Sequence, residues 1–140
     1  MNPYLRNTLV VIGALIIGSV VNMGIISISP SIIAPPEGVD PTDMDNIAAN
    51  IDKYEFKHFL MVFLAHALGT LAGAYFAARL VTKAPAFFGF LIGVISLIGG
   101  IAAAKMIPAP MTFIIIDLVF AYLPFALIAN VMARKKRSDW

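Results

Sequence analysis

HFLMVFLAHALGTLAGAYFAARL, residues 58–80, holds one side chain in its interior that can carry charge near neutral pH, His66, before Arg79 near its end. An apolar run of this length is long enough to cross a bilayer as a helix. One face is small or polar. His66, Thr70, Gly73 and Ala77 recur at helical spacing, with Ala65 and Gly69 beside them. Gly69 and Gly73 form a GxxxG within that ladder. In lipid, burying apolar surface gains little, so close backbone packing at small residues takes over as the force between helices. The stretch therefore reads as the central helix of a membrane bundle, with a polar spot in its outer part.

Composition extends this reading to the whole chain. Of 140 residues, 60% are hydrophobic and 13% charged, with a mean hydropathy of +0.89. Soluble domains are nearer half apolar and a quarter charged. The apolar excess falls in four runs, about residues 9–28, 58–80, 86–104 and 111–133. The expected fold is an all-α, integral-membrane four-helix bundle forming one domain, 1–140. There is no cysteine, which removes disulfides, thiolate metal sites and thiol redox chemistry. A formal charge of +2 is too small to point to nucleic acid. The first run is too long for a signal-peptide core, and Pro30 is expected to end it as an uncleaved helix.

Residues 29–57 form the one sizeable polar segment. Pro35-Pro36-Glu37-Gly38 reads as an extended stretch and a turn. Thr42 is the expected N-cap of a short amphipathic helix, with Asp43 and Asp45 in its first turn and Met44, Ile47, Ala48 and Ile51 on its apolar face. Arg6, Arg79, Lys83 and the basic residues 134–137 fall on one side of the four spans. Six acids of the 29–57 segment fall on the other. The positive-inside rule then puts both termini in the cytoplasm and the acidic loop outside.

Three polar residues lie inside the spans. Taking ~1.5 Å per residue, His66 is roughly 13 Å, Asp117 roughly 10 Å and Asn22 roughly 12 Å below the outer surface. A carboxylate at mid-membrane costs about 3 kcal/mol on insertion scales, so it faces a partner or water. His66 is the natural partner of Asp117. Asn22 and Thr70 could complete a hydrogen-bonded group. Such a pair can hold one mobile proton; the plainer alternative is polar glue between helices, at about 1 kcal/mol per contact. Gly89 and Gly93, with Ser96 and Gly100, give the third span a small face of its own. Pro124, in the fourth span, should kink it.

Glu55 and His58 form an E-x-x-H at the mouth of the second span, a spacing that places two ligands on one metal in carboxylate-bridged bundles. A metal-dependent enzyme using Glu55, His58 and His66 is therefore an alternative. No cofactor is expected, and other enzymatic chemistry has little to stand on. There is no G-x-S-x-G, and Asp117 is the one Asp within a span, whereas aspartic catalysis needs two.

At NMG (22–24), PPEGVDPTDMD (35–45), HFLMVFLAHALGTLAGA (58–74) and Asp117, the chain resembles a family of small bacterial four-span inner-membrane proteins. The resemblance implies a bacterial inner membrane and carries no activity or site residues. The leading expectation is a membrane protein with an outward-facing polar site, at His66, Asp117, Asn22 and Thr70, that binds or moves a proton or small cation, with the lipid bilayer and further copies of itself, as a homo-oligomer, for partners. The alternative is an accessory subunit packed on a membrane-protein partner through the glycine faces of the second and third spans.

Overall fold

The structure is a computed structural model that describes residues 2–138, with the backbone alone for 135–138. The side chains of Lys135, Lys136 and Arg137 in the basic tail, and residues 139–140, lie outside the described residues. Every regular element described is helical. Four segments are long and apolar enough to cross a membrane: 3–32, 56–80, 85–106 and 111–134.

Helix α1 spans Pro3–Ile32. The Asn2 side chain accepts from Tyr4 N at 2.9 Å, and Pro3 occupies the first turn, where its missing N–H is no loss. The helix is longer than the 9–28 expected. Pro30 does not end it: so close to the C-terminus it removes a single intrahelical bond, and Ile33 N still donates to Ser29 O at 2.8 Å. The end comes where the Pro35-Pro36 pair forces the preceding backbone into an extended course.

The loop that follows turns at Pro36–Val39, where Gly38 supplies a φ of +77° and Val39 N donates to Pro36 O at 3.1 Å. Helix α2, Met44–Ala49, is capped by Asp43, not Thr42: the Asp43 carboxylate accepts from Asp45 N and Asn46 N. Thr42 instead donates both its hydroxyl, at 2.7 Å, and its N–H, at 2.9 Å, to Asp40. These two bonds hold the Asp40 carboxyl below its ordinary pKa, the hydroxyl contributing more. A 3-10 turn, Ile51–Lys53, leads to α3.

Helix α3, Phe56–Leu80, is the centre of the molecule. It packs against α1, against α4 (Pro85–Met106) and against α6 (Leu123–Ser138). Links of a few residues, 81–84 and 107–110, make successive helices run antiparallel. Arg6 donates to Leu80 O at 2.9 Å, which fixes the start of α1 beside the end of α3. The basic residues Arg6 and Arg79 therefore share one end of the molecule, and the acidic loop lies at the other.

The core is built mostly of alanine. Ala14, Ala74, Ala77, Ala126 and Ala129 are fully buried around Ile92. Small side chains are what close packing requires. A Cβ on Gly69 would lie 2.8 Å from Gly18 O, one on Gly18 would lie 2.9 Å from Gly69 O, and one on Gly73 would lie 2.7 Å from Ala14 O. Helices α1 and α3 thus touch backbone to backbone. On the far side, Gly89 and Gly93 of α4 receive Asn130 and Ala126 of α6. The glycine faces of the second and third spans are filled by the chain's own helices.

The fourth span is broken, not merely kinked. Helix α5, Met111–Phe120, stops, and α6 begins at Leu123. Pro124 has no N–H to offer the Phe120 carbonyl, and its ring crowds that carbonyl. The chain turns at Ala121 and Tyr122, and this turn shapes the site.

Candidate functional site: a histidine, a carboxylate and a tyrosine beside a cavity

Helix α3 carries His66 on the face turned toward α5. Its Nδ1 lies 2.9 Å from both oxygens of Asp117. A carboxylate only accepts, so Nδ1 carries a hydrogen shared between the two oxygens. Both groups are largely shielded: the His66 side chain is 16% exposed and that of Asp117 7%.

The second donor to the carboxylate comes from the break in the fourth span. Tyr122 Oη donates to Asp117 Oδ2 at 3.1 Å. Five positions along a regular helix would put Tyr122 about 140° around from Asp117. The interruption at Ala121 brings the phenol back to it. The Tyr122 ring also lies under the imidazole, centroids 5.5 Å apart and 28° from parallel. Gly100 makes room on α4, since a Cβ there would run into the phenol ring. The Asp117 carboxylate thus has two donors, a histidine and a tyrosine, in a setting where an unpaired charge would be costly.

The His66 ring and Tyr122 form part of the wall of a cavity of about 310 Å³ between α1, α3 and α4. Its other polar walls are Ser19 and Asn22 from α1, Thr70 from α3 and Ser96 from α4. Among the described residues none of these four side chains makes a hydrogen bond within the protein, and His66 Nε2 makes none. Asn22 therefore shares the cavity with the pair and does not hydrogen-bond to it, contrary to the expectation from depth alone. Its Cβ lies under Gly69, where α1 and α3 are closest, so the amide is held on the cavity wall. Thr70 is buried, one turn below His66.

Glu55 and His58 do something else. Glu55 N donates to His58 Nδ1 at 2.9 Å, which places the ring hydrogen on Nε2, and Nε2 donates to Ala34 O at 3.1 Å. His58 thus caps α3 and ties the outer loop to it, with both nitrogens engaged by backbone. The Glu55 carboxylate meets Lys57 at 3.2 Å on the surface. His66 is eight residues further along α3, roughly 12 Å at the helical rise. Among the described residues no three His, Cys, Asp or Glu side chains converge as a metal site would require. Glu55, His58 and His66 therefore do not converge on one point within the described residues.

Sequence reasoning missed Tyr122, Ser19 and Asn130. Tyr122 could have been suspected from Pro124, since a break there frees the helical register. Asn130 donates Nδ2 to Ala86 O at 3.0 Å, and its Oδ1, buried against Gly89, has no partner among the described residues. No family model matches the chain, and no curated protein or solved structure is similar to it.

Proposed function

We propose that this multi-pass membrane protein takes up and releases a proton at the His66–Asp117 pair, by way of the cavity beside it. We take the membrane to be a bacterial inner membrane, and we put both termini in the cytoplasm because Arg6, Arg79, Lys83 and Arg134 lie at one end and the acidic loop, with Lys53 and Lys57, at the other. The pair then sits in the outer half of the membrane. One observation carries the functional reading: a carboxylate held by Nδ1–H and by Tyr122 Oη, on an imidazole whose ring lines the cavity.

The chemistry follows from the inventory of donors. With Nδ1–H turned to Asp117, the neutral imidazole keeps its lone pair on Nε2. A proton arriving from the cavity binds there, and the pair passes from one net negative charge to none. Among the described residues no Lys or Arg lines the cavity to balance the carboxylate, so the proton cancels a charge in surroundings of low polarity. A metal cation fits less well. It needs several oxygens free to turn toward it, and both Asp117 oxygens are engaged by donors.

The test is proton uptake by proteoliposomes carrying a trapped pH dye, driven by an imposed potential. Wild-type protein should acidify the lumen. Asp117→Asn and His66→Ala should reduce the rate to the protein-free background. Wild-type rates in both variants would end the proposal.

A further inference from the structure

The cavity opens sideways. Helices α1 and α4 both lie against α3 and barely touch each other. Two of the cavity's lining residues, Ser19 on α1 and Gly99 on α4, are exposed at the protein surface. Ser19 is 13 residues from the outer end of α1, roughly 20 Å along the axis, and Gly99 is seven from the outer end of α4, roughly 10 Å. Both positions lie within the membrane-spanning length, where the neighbouring surface is Val20, Met23, Ile98 and Ile101. At Gly99 a Cβ would meet nothing within 4 Å. The mouth is therefore framed by apolar side chains and leads inward to unpaired hydroxyls, an amide and the imidazole.

We propose that the cavity binds the head of an uncharged, hydroxyl-bearing amphiphile that enters from the bilayer between α1 and α4. The inference rests on reading the His66 pair as the working site, and it names what that site meets. Volume sets the size of the head: about 310 Å³ is roughly twice the ~150 Å³ cavity that holds a benzene ring, so a substituted six-membered ring fits. Charge sets its sign. Among the described residues the cavity wall holds no Lys or Arg to pair an anionic head, and Asp117 is already satisfied against a cationic one. Hydrogen bonding sets its chemistry. Neutral His66 offers an acceptor at Nε2, which selects an O–H donor. Asn22, Thr70 and Ser96 offer both donors and acceptors to the same oxygen or a second one. The tail stays in lipid through the gap between α1 and α4.

The probe is a long-chain alkylphenol with a diazirine on its ring, compared with its methyl ether, which has the same shape and no O–H. Both are added to the full-length protein in liposomes, irradiated, and mapped by peptide mass spectrometry. The expected result is phenol labelling concentrated on residues 19–22 and 96–99, roughly tenfold above the ether, the size of one lost hydrogen bond to a buried partner. Gly99→Phe, which adds bulk at the mouth where a Cβ meets nothing within 4 Å, should reduce this labelling at least fivefold. Gly24→Phe, at another position where a Cβ meets nothing within 4 Å but outside the cavity, should leave it unchanged. Equal labelling by phenol and ether, or labelling spread along α1 and indifferent to Gly99→Phe, would overturn the proposal. So would rapid, complete disulfide dimerisation of Ser19→Cys in the bilayer, which would put a second copy across the mouth. Selective labelling with unaltered proton uptake in Asp117→Asn would remove the proton reading alone. Uptake that depends on Asp117 with unselective labelling would remove this one alone.

Discussion

Replacing Gly69 or Gly73 with alanine should loosen α1 from α3, and the structure sets the size of the effect. The added Cβ would stand 2.8 Å from Gly18 O in the first case and 2.7 Å from Ala14 O in the second. Ordinary contact begins near 3.4 Å, so each methyl overlaps a backbone oxygen by more than half an ångström. Backbone cannot swing aside as a flexible side chain can, so α1 must back away. A gap of 0.5–1 Å forfeits about a quarter to a half of each dispersion contact along the seam. Overpacking of this kind costs about 1–3 kcal/mol. In water, Gly→Ala within a helix would return about 1 kcal/mol of propensity. That return is absent here, because a helix separated from its neighbours in lipid is still a helix. The two methyls push α1 in the same direction, so the double variant should cost less than the two singles together. The assay is equilibrium unfolding in mixed dodecylmaltoside–SDS micelles followed by circular dichroism, with Gly24→Ala as the control. If both singles matched the control to within ~0.5 kcal/mol, the ordinary scatter of surface substitutions, the close approach of α1 to α3 would not be a source of stability and the packing argument would fail.

Pro124→Ala restores an N–H for the Phe120 carbonyl, and a continuous fourth helix would carry Tyr122 away from Asp117; proton uptake should fall to the level of Tyr122→Phe, and full activity would contradict the role given to the break. Gly89→Ala places its methyl on Asn130 Oδ1. It should cost about 1–3 kcal/mol, most of it recovered in the Gly89→Ala/Asn130→Ala double variant, and a cycle with no coupling would show that the two helices do not meet there. Thr42→Ala removes the larger of the two bonds that lower the Asp40 pKa, so the Asp40 carboxyl should titrate nearer its ordinary 3.8 by NMR. Because the folded value is depressed, what this turn adds to stability is present above that pH and is lost as the pH falls through the lowered value; an unchanged midpoint would count against the turn.

The helices were legible because length and hydropathy leave little choice in a chain this apolar. Their ends were not. Pro30 looks like a terminator, yet a proline in a last turn removes little, and the end is set by Pro35-Pro36. Thr42 and Asp43 are both good caps, and the choice turned on Asp40 two residues earlier, which captures Thr42. In the site, depth counting set His66 and Asp117 at similar levels on separate spans, and the structure brings them to 2.9 Å. The same counting set Asn22 beside them, but depth says nothing about azimuth, and Asn22 faces the cavity without reaching the pair. Tyr122 was hidden for a further reason. Helical periodicity assigns it to another face, and only a broken helix returns it to Asp117. The E-x-x-H at Glu55 and His58 shows the reverse case: spacing suited to a metal serves equally to cap a helix, and the backbone claims both ring nitrogens.

The uneven attachment of α1 has a bearing on how the chain is made. Of the four spans, the earliest in the chain is the most apolar and the least buried, and α3 is the least apolar and the most buried. Nearly everything α1 holds on to belongs to α3, which emerges later. Hydropathy favours the insertion of α1 over that of α3, so α1 is the expected surface against which the glycine- and histidine-bearing segment docks. A circular permutant that begins at α3 would send its weakest inserter in first and should be retained by the translocation machinery or degraded.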